Sequence, residues 1–93
     1  MKRLKLKLKI FGRVQGVFFR DHAQAKAAAL ALVGFVRNEL DGTVYIEVEG
    51  EEEKLAQFLT WCQQGPEAAV VEKVEHQFSD QLENFSSFEI RYN

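Results

Sequence analysis

Leu4, Leu6, Leu8 and Ile10 alternate with Lys5, Lys7 and Lys9 at the start of the chain. A period of two puts one set of side chains in a core and the other in water, so a half-buried strand is expected here. Gly12 and Gly16 bracket Arg13-Val14-Gln15 and predict a loop, followed by an Ala-rich, helix-favouring stretch from about Asp21 to Val33. Gly34 is placed to end that helix. Phe35 to Leu40 reads as a second strand, Asp41-Gly42 as a two-residue hairpin turn, and Thr43 to Glu49 as a third strand with Val44, Ile46 and Val48 on one face.

Glu51, Glu52 and Glu53 suit the positive end of a second helix, along which Leu55, Phe58, Leu59 and Cys62 fall at helical spacing. Gly65-Pro66 stops it. Val70 to Phe78 predicts a fourth strand, residues 79 to 87 a polar loop, and Phe88, Ile90 and Tyr92 a short terminal strand. The order is βαββαβ plus a short C-terminal strand. Two amphipathic helices and an alternating sheet are best satisfied when both helices cover one face of a mainly antiparallel sheet, an α+β two-layer sandwich of ferredoxin-like type. In that topology the first and third strands are central neighbours, so Lys5, Lys7 and Lys9 are expected beside Glu47 and Glu49 on the open face.

Composition narrows the reading. With 93 residues, 46% of them hydrophobic and 28% charged, residues 1–93 are expected to form a single folded domain. The formal net charge of −2 gives no global attraction for nucleic acid or anionic lipid, so any anion site must be local. The single cysteine, Cys62, cannot form an internal disulfide, and no apolar run suits a signal peptide or membrane span. A soluble, cytoplasmic monomer with no nucleic-acid or membrane partner is expected.

Familiar catalytic signatures are missing: there is no Gly-x-Ser-x-Gly, no phosphate loop ending in Gly-Lys-Ser/Thr, no Cys-x-x-Cys and no His-Glu-x-x-His. Cys62 sits on an apolar helical stripe and reads as an inert buried thiol. His22 and His76 lack spaced metal ligands and read as structural or surface residues, so no metal or cofactor is expected. The segment from Gly12 to Arg20 is more informative. A glycine-containing loop between a strand and a helix start turns successive backbone N–H groups toward one point, and an arginine closing it adds a planar fork matched to phosphate oxygens. A second constellation, Gly34-Phe35-Val36-Arg37-Asn38, ends near the Asp41-Gly42 turn; the Asn38 amide either faces a ligand in the first loop or caps the turn.

Together these stretches resemble the acylphosphatase family. Ile10, Gly12, Val14-Gln15-Gly16-Val17, Phe19 and Arg20 match its first motif; Gly34, Phe35, Arg37, Asn38 and Gly42 match its second, continued by Val44 and Gly50. Weaker similarity runs through Gly65-Pro66 and Phe88-Glu89-Ile90, so the resemblance covers nearly the whole chain. It implies a ferredoxin-like fold and metal-independent hydrolysis of an acyl phosphate to a carboxylate and inorganic phosphate, which is both product and inhibitor. It further implies that Arg20 and the backbone amides of Gln15, Gly16, Val17, Phe18 and Phe19 bind the phosphoryl group, while Asn38 orients the attacking water. Position 18, often small in the family, is Phe18 here; if the loop needs a positive φ at that point, its shape or substrate preference is expected to differ.

The sparse site agrees with that chemistry. A leaving carboxylate has a conjugate acid of pKa about 4 and needs little general-acid help, which leaves positioning and charge stabilisation as the main tasks. RNA-recognition domains share the fold and stack bases on aromatics of the two central strands. The open faces expected here offer Tyr45 alone for that purpose, a poor stacking platform.

Overall fold

The computed structural model describes residues 2–92. The opening alternation forms β1 (Arg3–Arg13), which outlasts its expected end at Ile10 because the chain continues through a bulge at Phe11/Gly12 while still pairing with a later strand. Leu4, Leu6, Leu8 and Ile10 are buried, as their spacing predicts. The other elements are α1 (Phe19–Ala29), β2 (Val33–Asn38), β3 (Val44–Glu51), α2 (Glu52–Gln64), β4 (Val70–Ser79) and β5 (Phe88–Arg91).

The sheet order is β4-β1-β3-β2-β5, with β1 and β3 adjacent and antiparallel, as the topology requires, and β2 and β5 parallel. The strands at the two edges are β4 and β5. Both helices pack on the face that presents Leu6, Leu8, Ile10, Val44, Ile46 and Val48; Ala23, Ala27, Leu55, Phe58 and Cys62 fill the space between the layers. Trp61 joins this core through tilted contacts with Phe19 and Phe58. Glu52 and Glu53 occupy the first turn of α2, where the helix dipole favours negative charge.

Three features differ from the expectation. Helix α1 stops at Ala29 rather than near Val33, and Gly34 is no terminator. Instead Ala31 adopts a left-handed φ of 56°, its N–H donates to Ala28 and the Leu32 N–H donates to Ala27. These two bonds close the helix by the 5→2 and 6→1 pattern that usually employs glycine. Gly34 lies inside β2 at φ 149°, where a Cβ would fall 1.9 Å from the Glu47 carbonyl oxygen; the residue is small because two strands meet there.

Strand β2 accordingly starts and ends earlier than expected, and the turn is not a two-residue hairpin. Residues 39–43 form a longer loop in which Glu39 N–H donates to Thr43 O, Gly42 N–H donates to Glu39 O, and Asp41 Oδ1 accepts from both the N–H and the hydroxyl of Thr43 at 3.0 and 2.6 Å. Those bonds, with Lys9 alongside, hold the Asp41 carboxyl well below its ordinary range.

The third difference lies on the sheet face opposite the helices. Lys5 and Glu49 pair there as expected, but they are buried, not solvated. The 80–87 segment folds over them: Glu49 accepts hydrogen bonds from the backbone N–H groups of Glu83 and Asn84 at 2.7 and 2.9 Å, and Phe85 packs edge-on against Phe35. Lys5 Nζ donates to Glu47 and to Glu83. Burial pulls the Lys5 ammonium down, but these hydrogen bonds and charges outweigh it and hold it above its ordinary value. Burial likewise pushes Glu47 up and is outweighed by donation from the Tyr45 hydroxyl and from Lys5, so its carboxyl lies below the usual range.

Candidate active site

The loop between β1 and α1 follows from its residues. Gly16 adopts φ 74° and Phe18 φ 63°, ψ 25°, so positive-φ positions alternate along the loop, a backbone pattern of the kind that builds anion-binding concavities. Val14, Val17 and Phe19 point into the core and anchor the loop from beneath. No side chain caps the N-terminus of α1, which leaves its first-turn N–H groups directed out of the helix end. The positive φ at position 18 is therefore real, and it falls on a phenylalanine.

At this point the structure places a pocket of about 250 Å³ lined by Val14, Gly16, Phe18, Phe19, Arg20, Asp21, Asn38 and Tyr92. It brings together the loop, Arg20 and Asn38, which come from separate stretches of sequence. Arg20 is half-buried, and its guanidinium carbon lies 4.7 Å from the centroid of the Tyr92 ring. Asn38 is the last residue of β2. It pairs across the sheet with Val44, which is buried on the helix side, and so Asn38 is set toward the end of α1.

Gln15 and Val17 do not line the pocket with their side chains. The Gln15 amide reaches across to the 39–43 loop and donates to the carbonyl oxygens of Glu39 and Thr43 at 2.8 and 2.9 Å. One amide thus ties the loop at the end of β1 to the loop that follows Asn38. Sequence reasoning missed this brace, and it also missed Tyr92 as part of the pocket. The signal for Tyr92 is topological: β5 runs parallel to β2 with Arg91 opposite Arg37, which carries the next residue to the Asn38 end of the sheet.

The residues set aside in the sequence stay outside the pocket. His22 is exposed on α1 with its Nδ1 2.9 Å from the Phe18 carbonyl oxygen, and His76 is exposed on β4. The Cys62 thiol is buried in the core, which pushes its pKa well above its ordinary value and leaves it a poor nucleophile. Among the described residues no group of three or more His, Cys, Asp or Glu side chains is arranged to hold a metal ion, and no helix is long and apolar enough to cross a membrane.

Fold and pocket define an α+β sandwich with a cleft between a helix start and a strand end. Comparison with known proteins specifies it further. The acylphosphatase family model matches residues 6–90. An acylphosphatase of Pelotomaculum thermopropionicum is 39% identical over 92 residues, covering 99% of this chain and 100% of that one. Among solved structures, the acylphosphatase from Bacillus subtilis superposes with a TM-score of 0.93 at 36% identity, over 96% of this chain and 99% of that one. An acylphosphatase from Coxiella burnetii superposes with a TM-score of 0.92 at 32% identity, over 97% and 94% of the two chains. The chain belongs to the acylphosphatase family, enzymes that hydrolyse acyl phosphates.

Proposed function

We propose that Arg20 and the backbone N–H groups of Gln15 to Phe19 hold the phosphoryl group of an acyl phosphate, while Asn38 orients the water that attacks phosphorus. The convergence of Arg20, Asn38 and the left-handed loop on one pocket carries this reading. The guanidinium is charged at every working pH and offers a fork for phosphate oxygens; the loop N–H groups and the start of α1 add partial positive charge on the same side. Charge spreads over the equatorial oxygens in the transition state, and donors already in place stabilise it without reorganising.

The water oxygen forms a bond to phosphorus as the bridging oxygen–phosphorus bond breaks, and the electron pair leaves on the carboxylate. The water's proton passes to a phosphate oxygen. A carboxylate is a good enough leaving group that no acid is required beside it. We also take product phosphate to occupy the same cradle as a competitive inhibitor, and the chain to work as a single-domain cytoplasmic monomer whose fold uses no disulfide. Purified protein is expected to hydrolyse acetyl and benzoyl phosphate with chelator present, and to leave an alkyl phosphate monoester nearly untouched. Comparable rates on the monoester, or a complete loss of activity restored only by added metal, would refute the mechanism.

A further inference from the structure

We infer that this pocket is built for acyl phosphates with an aromatic acyl group, with the rings of Phe18 and Tyr92 forming the acyl subsite; the inference rests on the function proposed for the same pocket. A bulky residue in the left-handed region costs about 1–2 kcal/mol, which glycine would avoid at the same dihedral angles. Phe18 does not offset that strain by burial, since the residue is 69% exposed. Its backbone is held in place regardless: its carbonyl oxygen accepts the His22 N–H at 3.1 Å and faces His22 Nδ1 at 2.9 Å. The fold thus spends strain to keep an aromatic ring in water at the pocket wall.

Tyr92 repeats the pattern from the far end of the chain. It is 76% exposed, lines the same pocket and sets its ring against the Arg20 guanidinium. With the phosphoryl group held by Arg20 and the loop, the acyl carbon lies one bridging oxygen away and its substituent must leave past the pocket walls. A flat apolar substituent there removes ring surface from water and gains offset or edge contacts with either ring; a methyl group is too small for both. The neighbouring Leu40 is 99% exposed but does not line the pocket, so it serves as the control for surface apolarity in general.

The test compares kcat/KM for benzoyl and acetyl phosphate across the parent, Phe18→Gly, Phe18→Tyr, Tyr92→Ala and Leu40→Ala, each checked for folding by thermal melting. Phe18→Gly removes the ring together with the strain, so its fold is expected to survive. The benzoyl-to-acetyl ratio is expected to fall about tenfold in Phe18→Gly and in Tyr92→Ala, a loss typical of one aromatic contact with its buried area. Phe18→Tyr and Leu40→Ala should keep the parent ratio, and Leu40→Ala should also keep acetyl phosphate turnover within about threefold of the parent. Competitive inhibition by benzylphosphonate should weaken about tenfold more than that by methylphosphonate in Phe18→Gly, a readout independent of turnover. An unchanged ratio in Phe18→Gly or Tyr92→Ala, or an equal fall in Leu40→Ala, overturns the inference alone. A parent protein inert on both acyl phosphates overturns the proposed function and the inference with it.

Discussion

Arg20 and Asn38 reach one pocket from different elements, the first turn of α1 and the end of β2, and the roles proposed for them separate in measurement. Arg20 is argued to hold the phosphoryl group in ground and transition states alike, so Arg20→Gln should weaken inhibition by inorganic phosphate and lower turnover together. Asn38 is argued to act on the water. Asn38→Ala should therefore lower kcat a hundredfold or more, on the order of the ~3 kcal/mol of a lost preorganised contact, with phosphate inhibition near the parent value. Melting curves on the same variants guard the interpretation: an Asn38→Ala protein that is destabilised but turns over normally would make Asn38 a structural residue. At this scale the sequence is informative where a residue's own type carries the chemistry, as with a fixed cation at Arg20. It is silent on Tyr92, whose place beside Arg20 depends on a strand pairing with residues far away in the chain.

Among the elements, the loops at the end of β1 and after β2 act as one unit because the Gln15 amide spans them. Gln15→Ala removes two hydrogen bonds, and at about 1 kcal/mol each the melting midpoint should fall by an amount equivalent to roughly 1–2 kcal/mol. Released from that brace, the strand end bearing Asn38 should sample geometries that do not position water, and kcat should drop about tenfold with little change in phosphate inhibition. A variant that loses stability yet keeps full turnover would show that the brace does not position the site. The strands β1 and β3 were legible because their apolar residues alternate and one face is buried. The end of α1 was not: Gly34 looks like a helix stop, but its smallness serves the close approach of Glu47, and the actual stop is a left-handed alanine secured by two backbone bonds. Similarly, Asp41-Gly42 suggests a tight hairpin, whereas the Asp41 side chain builds a wider loop through Thr43.

For the molecule as a whole, the face opposite the helices was expected to be open to water, with Lys5, Lys7 and Lys9 beside Glu47 and Glu49. That pairing is present, but burial of Lys5 and Glu49 depends on the 80–87 segment folding back, an event that no local pattern announces. The network sets a pH dependence. The Glu47 and Asp41 carboxyls lie below their ordinary values in the folded protein, so the stability they contribute is complete above about pH 4.5 and is lost as pH falls through their folded values. Lys5 lies above its ordinary value, and its contribution is lost only as strong alkali deprotonates it. Melting temperature should therefore decline on the acid side, and Glu47→Gln should flatten part of that decline while lowering stability at neutral pH. An acid limb identical to the parent's would exclude Glu47 as a source.

The sheet ends on β4 at one edge and on the short β5 at the other. An edge strand offers a row of outward backbone donors and acceptors to any second strand that can approach, and the 10 residues of β4 make a long template. Glu72, Lys73 and Glu75 stand exposed along it, and bringing up a second copy would crowd those charges together. Strong acid neutralises the carboxylates among them and at the same time loosens the pairs beneath the 80–87 segment. The conditions that unlatch the fold are thus the ones that remove the guard from its edge, so concentrated protein held in acid has an open route to stacking strand on strand into fibres.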